Sequence, residues 1–223
     1  NTLGYIDFNL SSKEPDIDKK QKFRSHLSQK YFNNLPLVFP KQVSGSSIWI
    51  INDTTEPAEE ADAVITNRTD IAVGVLTADC VPIILYDIEN KVLAMVHAGW
   101  RGTAREITLK TLHTMFSAFH SKPAFIYAAI GPSIGPSAYE VGSDVIDIFK
   151  TLNYPINFSK PKENGKFLLD LWTINRYQME ICGISPSNIE MAQICSYSDS
   201  EFYSARRETI NTGRFATIAA IKK

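Results

Sequence analysis

Two apolar, β-prone segments, residues 81–86 and 92–97, flank the polar stretch Asp87-Ile88-Glu89-Asn90. Segments of this length and composition are typical of neighbouring strands, and Asp and Asn favour turns. We therefore expect an antiparallel β-hairpin at this point of the chain. Because the register of a hairpin decides which side chains share a face, this feature constrains the fold strongly.

Cys80 immediately precedes the first segment of this hairpin, and His97 ends the second. A turn centred between Ile88 and Glu89 places Cys80 directly opposite His97. Their Cβ atoms would then lie about 5 Å apart on one face of the sheet. A one-residue slip would send the two side chains to opposite faces.

A thiol beside an imidazole supports two kinds of chemistry. The imidazole can lower the pKa of the thiol and produce a nucleophile. Alternatively, the thiolate and the neutral imidazole can both bind a metal, usually zinc. Asp79, next to Cys80, is a candidate for orienting these groups or for proton transfer. A buried structural cysteine with a core histidine is the third interpretation, and the Gly-Trp-Arg-Gly segment after His97 argues against it.

The residues after His97 predict a helix with an anion site at its start. Thr103-Ala104-Arg105-Glu106 fits a capping box, and an apolar face follows as far as Phe119. The free amides at the start of a helix attract anions, and Arg101 lies just before this one. We therefore expect a phosphate-sized anion to bind near Arg101.

The remaining patterns predict a fold of the α+β class. Helices are expected over residues 16–32, 143–152 and 171–182, with N-caps at Asp16, Ser143 and Asp170 and with Gly183 ending the last. Strands are expected over residues 47–51, 71–78, 124–130, 189–194 and 214–221. Strands and helices do not alternate strictly, which favours a mixed or antiparallel sheet. We expect one domain over residues 1–223, because no linker or repeat divides them.

Composition limits the classes of function. The 223 residues carry 23 basic and 24 acidic side chains, and a net charge of −1 argues against general nucleic-acid binding. Cys80, Cys182 and Cys195 show no paired spacing, which is typical of reduced thiols in an intracellular protein. The sequence has neither an 18-residue apolar run nor a signal-type segment, so a cytoplasmic protein without membrane partners is the expectation.

Several motifs in a fixed order resemble the YfiH-like family of purine nucleoside phosphorylases, formerly labelled multicopper polyphenol oxidases or laccase-domain proteins. The two signature motifs are Thr77-Ala78-Asp79-Cys80-Val81-Pro82 and Val96-His97-Ala98-Gly99-Trp100-Arg101-Gly102. Further matching blocks are Ile130-Gly131-Pro132-Ser133-Ile134-Gly135, Tyr139-Glu140-Val141-Gly142, Asp170-Leu171-Trp172 with Asn175-Arg176, Cys195, Phe202-Tyr203-Ser204-Ala205-Arg206-Arg207 and Thr212-Gly213-Arg214. The resemblance covers nearly the whole chain.

The resemblance implies a mixed β-sandwich with flanking helices, a fold shared with cytotoxic-necrotising-factor-like cysteine hydrolases. It also implies phosphorolysis of adenosine, inosine and methylthioadenosine, with adenosine deamination as a side activity. The partners are then a small-molecule nucleoside and phosphate, and we expect a monomer. The residues expected at the substrate, besides Cys80, His97 and Asp79, are Arg101, Gln42, Glu140, Arg206 and Arg207.

The resemblance further implies zinc, held by Cys80, by His97 and by the histidine of a Gln-Val-His-Gly motif. This chain has Gln42-Val43-Ser44-Gly45 at that place, and a serine hydroxyl is a poor zinc ligand near neutral pH. His113 and His120 are expected on the helix surface and are not obvious replacements. Copper is less expected than zinc, because the sequence offers a single Cys–His pair and no further histidine cluster.

Ser44 leaves two other interpretations open. One is a cysteine hydrolase, for example an amidase on peptidoglycan precursors, that uses a Cys80–His97 dyad without metal. The other is a catalytically impaired relative that keeps the fold and binds nucleosides.

Overall fold

The computed structural model describes residues 17–52 and 58–222. Its helices are α1 (Ile17–Tyr31), α2 (Trp100–Ala104), α3 (Ile107–Phe119), α4 (Ser143–Lys150) and α5 (Leu171–Ile181). Its strands are β1 (Leu37–Val38), β2 (Ile48–Ile50), β3 (Ala63–Thr66), β4 (Ala72–Thr77), β5 (Val81–Asp87), β6 (Val92–Ala98), β7 (Ile126–Ile130), β8 (Glu140–Val141), β9 (Ser159–Pro161), β10 (Phe167–Leu169), β11 (Ile189–Met191) and β12 (Phe215–Ala220). None of the helices in these two ranges is long and apolar enough to span a bilayer.

The strands form one large sheet and two small ones. The large sheet has the order β11-β7-β5-β6-β3-β2, with antiparallel pairing in the middle and parallel pairing at both edges. The second sheet has the order β1-β4-β12, and the third has the order β8-β10-β9. The predicted α+β class with a mixed sheet is therefore confirmed, whereas the closer likeness to cytotoxic-necrotising-factor-like hydrolases stays a prediction.

The large sheet is buried on both faces, which explains its nearly continuous apolar strands. Val81, Ile83 and Leu85 of β5 point to one core, which the side chains of α3, α4 and α5 complete. The alternate side chains Ile84 and Tyr86 point to a second core beneath the sheet β1-β4-β12. Successive side chains of a strand point to opposite faces of the sheet, so the odd-numbered and even-numbered residues of β5 pack in different cores.

Most of the predicted elements are confirmed, with shifted ends. The helix over residues 171–182 is α5, and Asp170 caps it by accepting hydrogen bonds from the amide and the hydroxyl of Thr173 (2.9 and 2.7 Å). The helix over residues 16–32 is α1, although the predicted cap Asp16 lies outside the described residues. Strands β1, β3, β8, β9 and β10 are not among the predicted strands; each has four residues or fewer. All residues of β3 are buried, because it lies between β2 and β6.

The predicted start of the helix after His97 is wrong. The helix α2 begins directly after Gly99, and a left-handed Glu106 (φ 59°) separates it from α3. Thr103 is therefore not a cap but a buried residue of α2, whose hydroxyl accepts a hydrogen bond from Asn175 (3.0 Å). Gln178 donates to the Thr103 carbonyl at 2.9 Å. Contacts with α5 decide this local structure, and a local capping pattern does not encode them.

The predicted cap at Ser143 is also wrong. Gly142 is the N-cap of α4, Ser143 is its first helical residue, and no side chain caps this end. The reason is that Gly142 already has the extended backbone of a cap (φ −77°, ψ 169°), so the helix begins one residue earlier than expected.

Substitutions at the starts of α5 and α4 test whether a side chain caps the first helix and not the second. We expect Asp170→Ala to lower the free energy of unfolding by about 1 kcal/mol, because the Thr173 amide loses its acceptor. The control Ser143→Ala should change it by less than about 0.5 kcal/mol. Urea unfolding followed by circular dichroism measures both, and equal losses would contradict the capping roles stated here.

Candidate active site

The hairpin forms with a register two residues away from the predicted one. Pro82, not Cys80, lies opposite His97, and Asp87 pairs with Val92. The expectation of a direct Cys80–His97 pair is therefore wrong. The turn is displaced because Asp87 remains in the strand, while its carboxylate accepts hydrogen bonds from the next turn amides (2.9 and 3.1 Å). A shift of two residues keeps the parity, so Cys80 and His97 still lie on the same face.

Cys80 meets His97 at the corner between β4 and β5. The corner is sharp because Asp79 adopts a left-handed backbone (φ 86°). A Cβ atom built on Gly99 would lie 3.0 Å from the Cys80 sulfur and 3.9 Å from Cε1 of His97. The thiol and the imidazole also share a hydrogen bond. Glycine at position 99 thus leaves room for the pair, and Cys80 remains partly exposed.

Asp62 is the functional residue that the sequence patterns did not reveal. It lies directly opposite His97 at the start of β3, where the His97 amide donates to its carbonyl at 2.7 Å. Its buried carboxylate binds Nδ1 of His97 at 2.7 Å. The available signal was an aspartate immediately before the short apolar run Ala63–Thr66. Asp62, His97 and Cys80 therefore form a carboxylate–imidazole–thiol series on one face of the sheet.

The Asp62 carboxylate also organises the loop that contains Ser44. It accepts hydrogen bonds from the backbone amides of Ser44 (3.0 Å), Gly45 (2.6 Å) and Val43 (3.3 Å). A single carboxylate thus holds both the loop and the imidazole in place. Burial alone would raise the pKa of Asp62, but the bonds from His97 and from these amides hold the pKa below its usual value.

His97 favours its charged form in this environment. Burial would lower the pKa of the imidazole, yet the negative charge on Cys80 and the hydrogen bond to Asp62 outweigh burial. The pKa of His97 rises from 6.5 to about 9. The imidazolium is thereby stabilised by the Asp62 carboxylate at Nδ1 and by its interaction with Cys80.

Asp79 holds the corner together. Its carboxylate oxygens accept hydrogen bonds from the hydroxyl of Ser196 and from the amide of Arg206, both at 2.7 Å. Its carbonyl accepts a hydrogen bond from the amide of Ile134 at 2.9 Å. Asp79 is thus placed beside Cys80 as predicted, with its carboxylate engaged in anchoring two loops.

Two exposed guanidinium groups interact electrostatically with Tyr139. The Arg101 guanidinium lies over the Trp100 ring at 4.4 Å, and the Arg206 guanidinium lies over the Tyr139 ring at 5.2 Å. The Tyr139 hydroxyl interacts electrostatically with Cys80, with both arginines and with Asp79. Burial, followed by the negative charge on Cys80, raises the pKa of Tyr139, so its phenol stays neutral. Tyr139 is a second site residue that the sequence patterns did not single out.

The other predicted substrate residues make contacts within the protein. Gln42 bonds the backbone of Leu76 through both ends of its amide, each at 2.8 Å. Arg207 donates to several loop carbonyls, including Ser196 at 2.7 Å and Phe202 at 2.5 Å. These two side chains therefore anchor loops through hydrogen bonds to the backbone.

Glu140 is bound by two lysines of the neighbouring hairpin, Lys162 and Lys166. Their hydrogen bonds lower the pKa of the Glu140 carboxyl from 4.5 to about 2. The carbonyl of Glu140 accepts a hydrogen bond from Arg206 at 2.6 Å. Glu140 therefore supports Arg206 through its backbone, while its side chain is engaged elsewhere.

The donor atoms at this site do not fit a three-ligand metal site. Ser44, at the position where the resemblance implies a ligand, is exposed and offers only a hydroxyl. Asp62 is engaged by the imidazole and the loop amides. Across residues 17–52 and 58–222 no three His, Cys, Asp or Glu side chains are grouped to hold a metal. His113 and His120 are exposed, as predicted.

Substitution of the carboxylate tests its role. We expect Asp62→Asn to lower the pKa of His97 by about 1–2 pH units, because the imidazolium loses a negative neighbour. The free energy of unfolding should fall by about 2 kcal/mol, because the new amide group faces backbone donors. NMR titration and urea unfolding measure these changes. Asp147→Asn, at an exposed helical position, is the control, and an unchanged His97 titration would contradict the assignment.

Comparison with known proteins agrees with the fold and the motifs. A family model described as "Multi-copper polyphenol oxidoreductase laccase" matches residues 2–222. The chain is 33% identical to a purine nucleoside phosphorylase of Bacteroides thetaiotaomicron, over 98% of this chain and 86% of that protein. It is 36% identical to adenosine deaminase RL5 from an unknown prokaryotic organism, over 81% of this chain and 73% of that protein.

Solved structures share the whole architecture. YlmD from Geobacillus stearothermophilus has a TM-score of 0.88 and 25% identity, covering 100% of this chain and 89% of that one. The hypothetical protein YfiH from Bacillus licheniformis has a TM-score of 0.87 and 24% identity, covering 100% of this chain and 90% of that one. At this identity the likeness supports a common fold. With the family model matching almost from end to end, the chain belongs to the YfiH-like family.

Proposed function

We propose that this chain is a purine nucleoside phosphorylase acting on adenosine, inosine and methylthioadenosine, with adenosine deamination as a side activity. The relatives named as phosphorylase and as deaminase support this proposal. The observation that carries it is the pair of exposed guanidinium groups, on Arg101 and Arg206, which interact electrostatically with Tyr139 as Cys80 does, while Cys80 is hydrogen-bonded to His97.

The two arginines suit a phosphate dianion. Each guanidinium lies over an aromatic ring, which limits its freedom before any ligand binds. Arg206 uses one nitrogen on the Glu140 carbonyl, and a guanidinium has further N–H donors. Charge-assisted bonds from such groups to phosphate are stronger than neutral ones. We therefore place the phosphate between Arg101 and Arg206, near the Tyr139 hydroxyl.

In the proposed reaction, a phosphate oxygen forms a bond to C1′ of the sugar while the bond from C1′ to the purine nitrogen breaks. The electron pair of the broken bond leaves with the purine, which takes up a proton. The Cys80–His97 pair supplies that proton, and Asp62 holds the imidazole in orientation and stabilises its charge. The products are the free base and a pentose 1-phosphate.

The other predicted residues have positioning roles in this proposal. Asp79 fixes the backbone of Arg206, and Arg207 and Gln42 hold the surrounding loops. A contact between the Glu140 carboxylate and the sugar would require it to leave Lys162 and Lys166.

Assay with inosine and phosphate tests this function. We expect phosphate-dependent release of hypoxanthine, measured by chromatography. Arg206→Ala should lower kcat/KM for phosphate by about 10- to 100-fold, since bonds to a charged group contribute about 1.5–3 kcal/mol. Arg206→Lys should lower kcat/KM for phosphate by less than Arg206→Ala does, because lysine keeps the charge but lacks the planar guanidinium.

The matched control is Arg68→Ala. Arg68 forms an ion pair with Asp70 and follows the last residue of β3, whereas Asp62 precedes the first. It should leave kcat/KM for phosphate unchanged. Absence of hypoxanthine in phosphate buffer, under conditions where a relative is active, would overturn the proposed function. Equal losses in Arg206→Ala and Arg68→Ala would overturn the phosphate position.

A cysteine hydrolase, for example an amidase on peptidoglycan precursors, is the second candidate. The observation that favours it is Asp62, which completes a Cys–His–Asp arrangement of the kind used by cysteine nucleophiles. The Cys80 sulfur would attack the carbonyl carbon, His97 would protonate the departing amine, and water would then cleave the thioester.

Thiol alkylation tests whether Cys80 is an activated nucleophile. We expect iodoacetamide to modify Cys80 faster than Cys182, because burial and Glu106 raise the pKa of Cys182 to about 11. Cys195 is a less suitable reference, since bonds from Ser198 and the Gly135 amide lower its pKa against the effect of burial. Peptide mass spectrometry over time gives both rates, and equal rates for Cys80 and Cys182 would count against a nucleophile.

The two remaining interpretations have distinct signatures. A nucleoside-binding protein without catalysis would show a higher Tm with inosine but no turnover. A copper-dependent polyphenol oxidase needs several clustered metal ligands, and the described residues contain no such group.

A further inference from the structure

We infer that this chain performs its chemistry without a bound metal, and that residue 44 decides this. The inference rests on the proposed function only for the activity measurement. Its basis is the set of donor atoms that the described residues leave available to a metal beside Cys80 and His97, which consists of the Cys80 sulfur and one ring nitrogen of His97. Zinc sites in proteins use at least three protein ligands drawn from Cys, His, Asp and Glu.

Asp62 does not supply the missing ligand. One carboxylate oxygen bonds Nδ1 of His97 and the Ser44 amide, and the other bonds the amides of Gly45 and Val43. A metal bound to this carboxylate would break the bond that orients His97 and would take the acceptor away from the partly buried loop amides. Both losses would weaken metal binding by Asp62.

Ser44 stands where the family resemblance implies the third ligand. Its amide bonds the same Asp62 oxygen that binds Nδ1 of His97, so the Ser44 backbone and the imidazole are held by one atom. The residue is exposed and has a left-handed backbone (φ 57°), which histidine tolerates better than most residues. A histidine can therefore be introduced at position 44 without disturbing the backbone, whereas the serine hydroxyl is a poor ligand.

Among residues 17–52 and 58–222, no third ligand of these types is grouped with Cys80 and His97. The site is therefore left with two protein ligands for zinc, one fewer than such sites use. Because even changes outside the ligand shell reduce metal affinity by about 10- to 100-fold, the loss of a ligand should reduce it by more than about 100-fold.

The test is the zinc content of the full chain after loading with zinc and gel filtration, measured by mass spectrometry of the metal. We expect no stoichiometric zinc in the natural sequence and about one zinc ion per chain in Ser44→His. Zinc should protect Cys80 from iodoacetamide in Ser44→His but not in the natural sequence. Phosphorolysis by the natural sequence should be unaffected by EDTA.

Two controls isolate the cause. Ser47→His introduces a histidine at another exposed position of the same segment and should bind no stoichiometric zinc. Ser44→His combined with Cys80→Ala should lose the zinc that Ser44→His gains. Thermal unfolding of each variant shows that it is folded before its metal content is compared.

Zinc retained by the natural sequence at stoichiometric level, or activity lost with EDTA, would overturn the inference. Failure of Ser44→His to bind zinc would overturn the role given to residue 44. Metal content and thiol protection need no turnover, so they decide the inference even if phosphorolysis is absent. In that outcome the proposed function fails while the metal-free site stands.

Discussion

The hydrogen bond between Asp62 and His97 joins the parts of the site that come from distant segments of the chain. The Asp62 carboxylate is buried at the start of β3, and its partner His97 lies near the end of the neighbouring strand β6. The amides of the Val43–Gly45 loop donate hydrogen bonds to the same carboxylate oxygens. A buried carboxylate is stable only when its lone pairs are satisfied. Imidazole orientation and loop position therefore depend on each other.

A second group of contacts builds the surroundings of Cys80 from the C-terminal part of the chain. Asp79 ties the corner to Ser196 and to the Arg206 backbone, and Arg207 closes its own loop through carbonyl contacts. The Arg206 amide is thereby fixed at the corner, and its exposed guanidinium lies over the Tyr139 ring. Hydrogen bonds to the backbone thus fix the loops that carry these side chains.

The hairpin shows how far the sequence could be used to predict the site. Two apolar, β-prone runs around a polar turn predicted the two strands. The predicted common face of Cys80 and His97 also holds, because a register shift of two residues leaves each side chain on the same face. The register itself depended on the Asp87 carboxylate, which accepts a hydrogen bond from the Glu89 amide and so moves the centre of the turn one residue further along the chain than expected. Asp62 could not be paired with His97 in advance, since a four-residue strand gives little periodic signal.

The sequence by itself determined the strands of the central hairpin, the cap of α5 and the identity of the thiol–imidazole pair, all of which depend on neighbouring residues. Only the tertiary structure decided the broken helix at Glu106, the partner of His97 and the interaction of both Arg101 and Arg206 with Tyr139. The physical reason is distance along the chain. Local propensity extends over a few residues, whereas these contacts join segments that only the packed sheets bring together.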